Sequence, residues 1–424
     1  MNKQQSKSYA LPIAMMFALF FMISFVTGLP SPMGVIVAKQ FGASNFESQL
    51  GFLANFIAYA FMGIPAGIML KKIGYKKTAL AAVAVGFVGV GVQYFSGVVG
   101  NFSVYLMGAF ISGFSMCMLN TVVNPMLNTL GGGGNKGNQL IQFGGSINSI
   151  GATITPMLVG YLMGAAAGRT IEKANPALFL ALGIFAVAFF VLFFVEIPEP
   201  HMESATERKV KHPHSPLSFR HFILGAIAIF IYVGIEIGIP STANLYMTAS
   251  STVGTHLGLG IDATTAGGIV GVYWLLMLVG RLFGASIGSK VSSKTMLITV
   301  SSLGLVFILL AIFMPVTNTV TLPYFETQVP ISVAFLVLCG LCTSIMWGGI
   351  FNLAVEGLGK YTAAAAGIFM VMVCGGGIVP LIQGFVSDHF GYMNSYWVMF
   401  ACLVYMLYYG LVGSKNVNKD IPVE

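Results

Sequence analysis

Twelve apolar runs, each of about twenty residues or more, divide this chain, and nearly all of its charge lies between them. They cover approximately residues 10–37, 46–70, 78–97, 102–129, 139–163, 176–195, 221–247, 264–289, 295–314, 330–355, 362–386 and 393–412. An α-helix needs about 20 mainly apolar residues to cross a hydrocarbon layer. In that solvent every backbone N–H and C=O must be paired internally, which restricts the chain to helices or a closed barrel. Composition agrees with lipid as the main solvent. The chain is 56% hydrophobic and 8% charged, against about 25% charged in a soluble domain. The expected fold is therefore an all-α membrane protein with twelve transmembrane helices.

The charges that remain set the orientation. Lys39, Arg169 and Lys173 fall on one side of the twelve runs and Arg281 lies within a run. The other Lys and Arg residues fall on the side of the N-terminus, so both termini are expected to be cytoplasmic. The net charge of +7 has no aromatic-interleaved basic patch behind it, so no nucleic-acid partner is expected. Segment 196–220 is rich in Pro, His and charge and reads as a linker. It divides the chain into an N-terminal bundle, residues 1–195, and a C-terminal bundle, residues 221–424.

Several features that could carry chemistry have plainer explanations. The five cysteines all sit in apolar runs, and the Cys339–Cys342 pair has no second pair or histidine at ligand distance. Gly131 to Gly134 resembles a phosphate cradle but lacks the Lys-Ser/Thr ending and a preceding strand. The six histidines lie in or beside loops. No cleavable signal is evident, because the first run is too long for a signal core. No enzyme activity, cofactor or resident metal is expected.

The two bundles repeat one another. Gly28-Leu-Pro-Ser31 in the first run echoes Gly238-Ile-Pro-Ser241 in the seventh. "GIMLKKIGYKKT" after the second run echoes "GASIGSKVSSKT" after the eighth. Asn124, Asn128 and Gly131 share spacing with Asn352, Glu356 and Gly359. Gly151, Pro156 and Gly160 share spacing with Gly375, Pro380 and Gly384. Matches in one order and one register indicate a duplicated six-helix unit with both copies in the same orientation. Two such halves can enclose a central cavity and expose it alternately to each side. Each duplicated proline removes one backbone hydrogen bond, which is tolerated in lipid only where the irregular backbone faces protein or water.

Further stretches carry a family resemblance: "GIPAGIMLKKIGYK" (63–76), "NTVVNPMLNTLG" (120–131), "YVGIEIGIPS" (232–241), "VGRLFGASI" (279–287), "IFNLAVEGLG" (350–359) and "GGGIVPLIQGFVSD" (375–388). With the six-plus-six plan and the basic loop after the second run, the chain resembles the major facilitator superfamily. Within it, the chain is similar to the fucose permease and glucose/galactose transporter family of sugar:cation symporters. The resemblance implies a secondary active sugar importer, driven by protons or sodium, acting as a monomer in a bacterial inner membrane. An exporter of amphipathic compounds and an uncoupled sugar facilitator are the alternatives within the superfamily. Fucose-permease-like members typically place carboxylates on the first and fourth helices; Ser31 and Asn120 stand at those positions here, and neither titrates near neutral pH.

Glu236 is the acid deepest in the membrane, about 22 Å along the seventh run at 1.5 Å per residue. It either stays protonated against a neighbouring helix or faces a cavity as the coupling carboxylate, with sodium possible there in place of a proton. Arg281 is the other deep charge, placed to pair with Glu236, to bind carbonyls at an inner gate or to snorkel to the interface. Glu356 is expected to form an ion pair at the inner gate. Asn120, Asn124 and Asn128 recur every four residues and line one helix face. Amides both donate and accept, which suits a polyhydroxylated sugar, although the same groups also serve as glue between helices. Gln142, Asn148, Asn244 and Asn352 are expected to extend that lining, while Asn128 lies near the inner end and reads as a gating residue. Trp274 and Trp347 are the aromatic candidates for packing on a sugar ring.

Overall fold

Each apolar run becomes a helix because internal hydrogen bonding is the only way to satisfy its backbone in lipid. The computed structural model describes residues 9–40, 42–130, 134–163, 171–197, 199, 214–287, 291–322, 327–358, 361–418 and 420–422. Its twelve long helices are α1 (Ala10–Ile36), α2 (Leu50–Leu70), α3 (Lys72–Val99), α4 (Phe102–Leu127), α5 (Gly134–Met163), α6 (Glu172–Phe194), α7 (Arg220–Thr248), α8 (Ala263–Gly284), α9 (Ser293–Phe313), α10 (Ile331–Val355), α11 (Gly367–Phe390) and α12 (Tyr396–Gly413). Eleven of them are long and apolar enough to cross a membrane. The other, α5, is a more polar helix of 30 residues. Twelve crossings return the chain to the end of the bundle where it began, called here the terminal end; the opposite end is the distal end.

The helices are not uniform rods, and their breaks fall at particular depths. α1 is interrupted at Leu29, where the Leu29 N–H turns to the Val26 carbonyl at 3.3 Å. Pro30 has no N–H to offer that carbonyl, so the preceding residue supplies one. The twin proline in α7, Pro240, lies inside an unbroken helix. α10 breaks between Thr343 and Met346, and α11 between Met372 and Gly375.

The α2–α3 connection shows how a basic loop is fixed. Gly74 adopts φ 85°, a conformation that strains any residue with a Cβ. This turns the chain so that the Tyr75 and Lys76 N–H groups donate to the Glu199 carboxylate, and Lys76 Nζ donates to the Phe193 carbonyl at 2.9 Å. The start of the interbundle segment therefore caps the restarting helix. Residues 198 and 200–213 of that segment, and residues 131–133 between α4 and α5, lie outside the described residues. Between α9 and α10, Thr319–Leu322 and Thr327–Pro330 pair as a short antiparallel hairpin (β1 and β2) that the hydropathy pattern did not suggest.

The halves meet along two seams, α5 against α8 and α11 against α2. The duplication makes these one contact formed twice, since α5 corresponds to α11 and α8 to α2. The matched glycines Gly160 and Gly384 lie at the distal ends of these seams, Gly160 against the start of α8 and Gly384 against Asn45 and Phe46 just before α2. A Cβ on Gly160 would come within 3.1 Å of the Ala263 carbonyl oxygen; one on Gly384 would come within 2.8 Å of the Asn45 carbonyl oxygen. Both positions are at the distal end, so the absence of a side chain lets the halves close there.

This makes Gly384 a place to wedge the seam. An overpacking cost of about 1–3 kcal/mol predicts that Gly384→Leu opens the distal side for about ten times as much of the time. The readout is labelling of a single cysteine at position 237 by an impermeant maleimide from the distal side, with the native cysteines replaced by serine. Unchanged labelling would show that the seam closes without that contact.

Candidate functional site

A cavity of about 240 Å³ lies between the halves and is lined by residues of α1, α2, α4, α5, α7, α8, α10 and α11. The breaks in α10 and α11 meet it at Ser344, Trp347, Gly348 and Val373, and the two Gly-x-Pro-Ser steps meet it at Gly28, Ser31, Pro240 and Ser241. Irregular backbone thus sits where the bilayer permits it, beside a polar space.

Among the lining residues only Glu236 and Arg281 carry charge. Arg281 Nη2 stands 3.5 Å from Glu236 Oε1, and the side chains are 16% and 15% exposed. Arg281 Nη1 reaches across to the other half, donating to the Gly145 carbonyl at 2.8 Å and to Ser149 Oγ at 2.7 Å. The expected pairing of the two deep charges is present, and the guanidinium also binds a carbonyl. Tyr232, one turn before Glu236, lines the same wall.

The Glu236 main chain is held as well as its side chain. Pro240 has no N–H for the Glu236 carbonyl four residues earlier. The Tyr273 hydroxyl from α8 donates to that carbonyl at 3.3 Å and lies 3.0 Å from the Thr343 hydroxyl beside the α10 break. One proline therefore ties α7, α8 and α10 together behind the site.

The amide stripe on α4 faces the cavity at Asn120 and Asn124, and Asn148 on α5 joins it. Asn120 Nδ2 donates to the Tyr59 hydroxyl at 3.0 Å and to the Met116 carbonyl at 3.1 Å, which uses both of its hydrogens. Asn124 Nδ2 donates to the Asn120 carbonyl at 2.9 Å, and Asn148 Nδ2 to the Phe20 carbonyl at 3.1 Å. The amide nitrogens are thus fixed by protein, and Asn120 has only its carbonyl oxygen left to offer a ligand. Opposite stand Trp274 and Trp347, the latter 6.2 Å from the Tyr232 ring.

Four expectations need correction or restriction. Asn244 does not line the cavity: it is 3% exposed and donates to Ser31 Oγ at 3.2 Å, across the halves. Ser31 does line the cavity, but its described partner is this amide rather than Glu236. Asn352 is exposed and off the cavity, one turn past Gly348 toward the terminal end. Glu356 forms no ion pair among the described residues; its main-chain carbonyl meets His221 Nε2 at 2.9 Å, because it falls in the turn that ends α10. The side chains of Asn128 and Gln142 lie outside the described residues.

Residues that periodicity did not single out close the distal end. Gln49 Nε2 donates to Ser241 Oγ at 3.3 Å, the counterpart of the Asn244–Ser31 bond. Each duplicated serine thus accepts from the opposite half. Beyond them the Asp388 carboxylate accepts from the Asn45 and Phe46 N–H groups at 2.7 and 2.9 Å, and Thr264 Oγ1 donates to the Gly160 carbonyl at 3.2 Å. The serine twin was visible in the repeat, whereas Gln49 and Asp388 read as ordinary helix-end polar residues.

Two broken-helix halves around a central cavity that holds an ion pair and amides on a largely apolar wall are the plan of a membrane carrier, and the sequence matches the Major Facilitator Superfamily over residues 16–380. The chain belongs to that superfamily. It is 27% identical over 414 residues to the glucose/galactose transporter of Brucella abortus biovar 1, covering 97% of this chain and 96% of that protein. It is 23% identical over 411 residues to the L-fucose-proton symporter of Escherichia coli K12, covering 91% and 89% respectively. The solved structure of FucP, a superfamily transporter in the outward conformation, superposes with a TM-score of 0.68 at 20% identity over 97% of this chain and 100% of that one.

The hydrogen bond behind Glu236 yields a double-substitution test. Tyr273→Phe leaves a buried carbonyl unpaired and is expected to cost about 1–3 kcal/mol of stability. Pro240→Ala restores an N–H to α7, so the same Tyr273→Phe change should cost less in that background, as read from thermal melts in detergent. Equal costs in both backgrounds would mean that Tyr273 acts elsewhere.

Proposed function

We propose that this protein imports a neutral sugar together with a proton by alternating access. The observation that carries this reading is the division of the cavity wall. Asn120, Asn124 and Asn148 present amides whose nitrogens are tied to the protein, beside the hydroxyls of Ser24 and Ser31. Trp274 and Trp347 present rings from the other half. A ligand rich in O–H donors along its edge and C–H groups on its faces complements both walls. Arg281 already faces Glu236 and two α5 oxygens, so among the described residues that line the cavity no cation is left free for a phosphate or carboxylate. The names of the two relatives, a glucose/galactose transporter and an L-fucose-proton symporter, point to the same substrate class.

Glu236 is the proposed proton site. A carboxylate this deep must be paired or protonated, and Arg281 stands where a bound sodium ion would meet a second cation. Ser31 and Asn244 serve the distal closure in this reading, and Asn120, Asn124, Asn148, Trp274 and Trp347 contact the sugar. Both termini face the cytoplasm of a bacterial inner membrane, as the distribution of Lys and Arg favours, and the protein works as a monomer. The bonds that join the halves at the distal end support reading that end as the closed one, which on this orientation is the outer side.

Counterflow of labelled hexoses and amino sugars into proteoliposomes tests the substrate, and imposed proton or sodium gradients test the driving ion. Wild-type protein is expected to exchange a hexose and to accumulate it under a proton gradient. Glu236→Gln should keep exchange while accumulation falls to simple equilibration. If no sugar exchanges, the sugar reading fails; if sodium alone drives accumulation, the proton assignment fails; if the Gln variant still accumulates, Glu236 is not the coupling group.

A further inference from the structure

Arg281 sits between two claims on its charge. Both hydrogens of Nη1 go to α5, at 2.8 Å to the Gly145 carbonyl and 2.7 Å to Ser149 Oγ. Nη2 stands 3.5 Å from Glu236, beyond the roughly 2.7–2.9 Å of a charge-assisted hydrogen bond. The guanidinium is therefore held more tightly by the opposite half of the protein than by the carboxylate of its own half. Ser149 is 1% exposed, does not line the cavity and has no contact with Glu236 that would explain a polar group at that place. Its main-chain carbonyl accepts from Thr153 Oγ1 at 2.8 Å, so its hydroxyl stands on a locally braced turn of α5.

We infer that Ser149, with the Gly145 carbonyl, is a positioning site on α5 that docks the Arg281 guanidinium, so that Glu236 and the α5–α8 seam compete for one cation. This rests on the proposed role of Glu236 and adds the element that links it to the movement of the halves. A shift of α5 against α8 must lengthen the Nη1 bonds or pull the guanidinium from Glu236. An ionised Glu236 draws Arg281 away from α5; a protonated Glu236 releases it to Ser149 and Gly145. Linkage makes the effect reciprocal: whatever docks Arg281 on α5 favours proton binding at Glu236, and proton binding favours the docked seam. The groups that face Glu236 are Arg281 from α8, Tyr232 from its own helix and the Tyr273 hydroxyl on its main chain. Among the lining residues Arg281 is the one that can carry a permanent charge between the halves.

Ser149→Ala and Ser149→Thr, assayed in proteoliposomes for hexose counterflow and for proton-driven accumulation, test the site. The alanine variant should lower the accumulation ratio by at least about fivefold, the lower end of ordinary coupling free energies, while counterflow stays close to wild type. The threonine variant keeps the hydroxyl and should restore accumulation. Wild-type accumulation by Ser149→Ala overturns the inference, as does a parallel loss of counterflow and accumulation that threonine does not rescue, which would mark Ser149 as structural. Failure of the wild-type protein itself to exchange sugar would instead sink the functional reading on which the inference rests.

Discussion

A carboxylate and a guanidinium 3.5 Å apart inside the transmembrane bundle are the constraint from which the rest of this structure follows. Neither group is tolerated in contact with acyl chains, and a buried ion pair gains little unless further hydrogen bonds complete it. Both therefore require a polar space between the two bundles. The structure meets that requirement with a cavity, with α5 oxygens on the guanidinium, and with broken stretches of α10 and α11 whose irregular backbone the same space accommodates.

Duplication supplied the frame, and departures from it supplied the chemistry. The α5–α8 and α2–α11 seams are copies, with Gly160 and Gly384 in equivalent places. The two Gly-x-Pro-Ser steps lie at equivalent places on the cavity wall, and each serine accepts a hydrogen bond from the other half. The prolines then diverge. Pro30 breaks α1, and the stranded Val26 carbonyl is served by Leu29 of the same helix. Pro240 leaves α7 continuous, and the Glu236 carbonyl is served by Tyr273 of another helix. One half has a flexible step where the other has a cross-braced one, and the ionisable residue is on the braced side.

How far the sequence could be read depended on the reach of each signal. Hydropathy fixes crossings, and a charge inside a crossing is conspicuous, so the helices, Glu236 and Arg281 were legible. Four-residue spacing reports which residues share a helix face, and it correctly grouped Asn120 with Asn124. It does not report what that face meets. Asn244 lies on α7 only three residues beyond the lining residue Ser241, yet a neighbouring α1 takes its amide out of the cavity. Asn352 repeats the spacing of Asn124 but falls past the end of the cavity, one turn beyond the lining residue Gly348. Gln49 and Asp388 stand at helix ends, where polar residues are ordinary, and their partners are 192 and 342 residues away in the chain. Such pairings exist only once the halves are docked.

The distal closure and the proposed coupling site hold their charge in different ways. Between the cavity and Asp388, the bonds that join the halves are between neutral groups: amide to hydroxyl at Asn244–Ser31 and Gln49–Ser241, and hydroxyl to carbonyl at Thr264–Gly160. Each is worth about 0.5–1.5 kcal/mol net, and beyond them the Asp388 carboxylate adds two stronger, charge-assisted bonds to the Asn45 and Phe46 N–H groups. The proposed coupling site instead holds one cation shared between two partners, and in that proposal its rearrangement depends on whether Glu236 carries a proton. A carrier of the proposed kind needs both: a seal whose groups water can take over one by one as the halves separate, and a charged contact whose partner the bound ion decides.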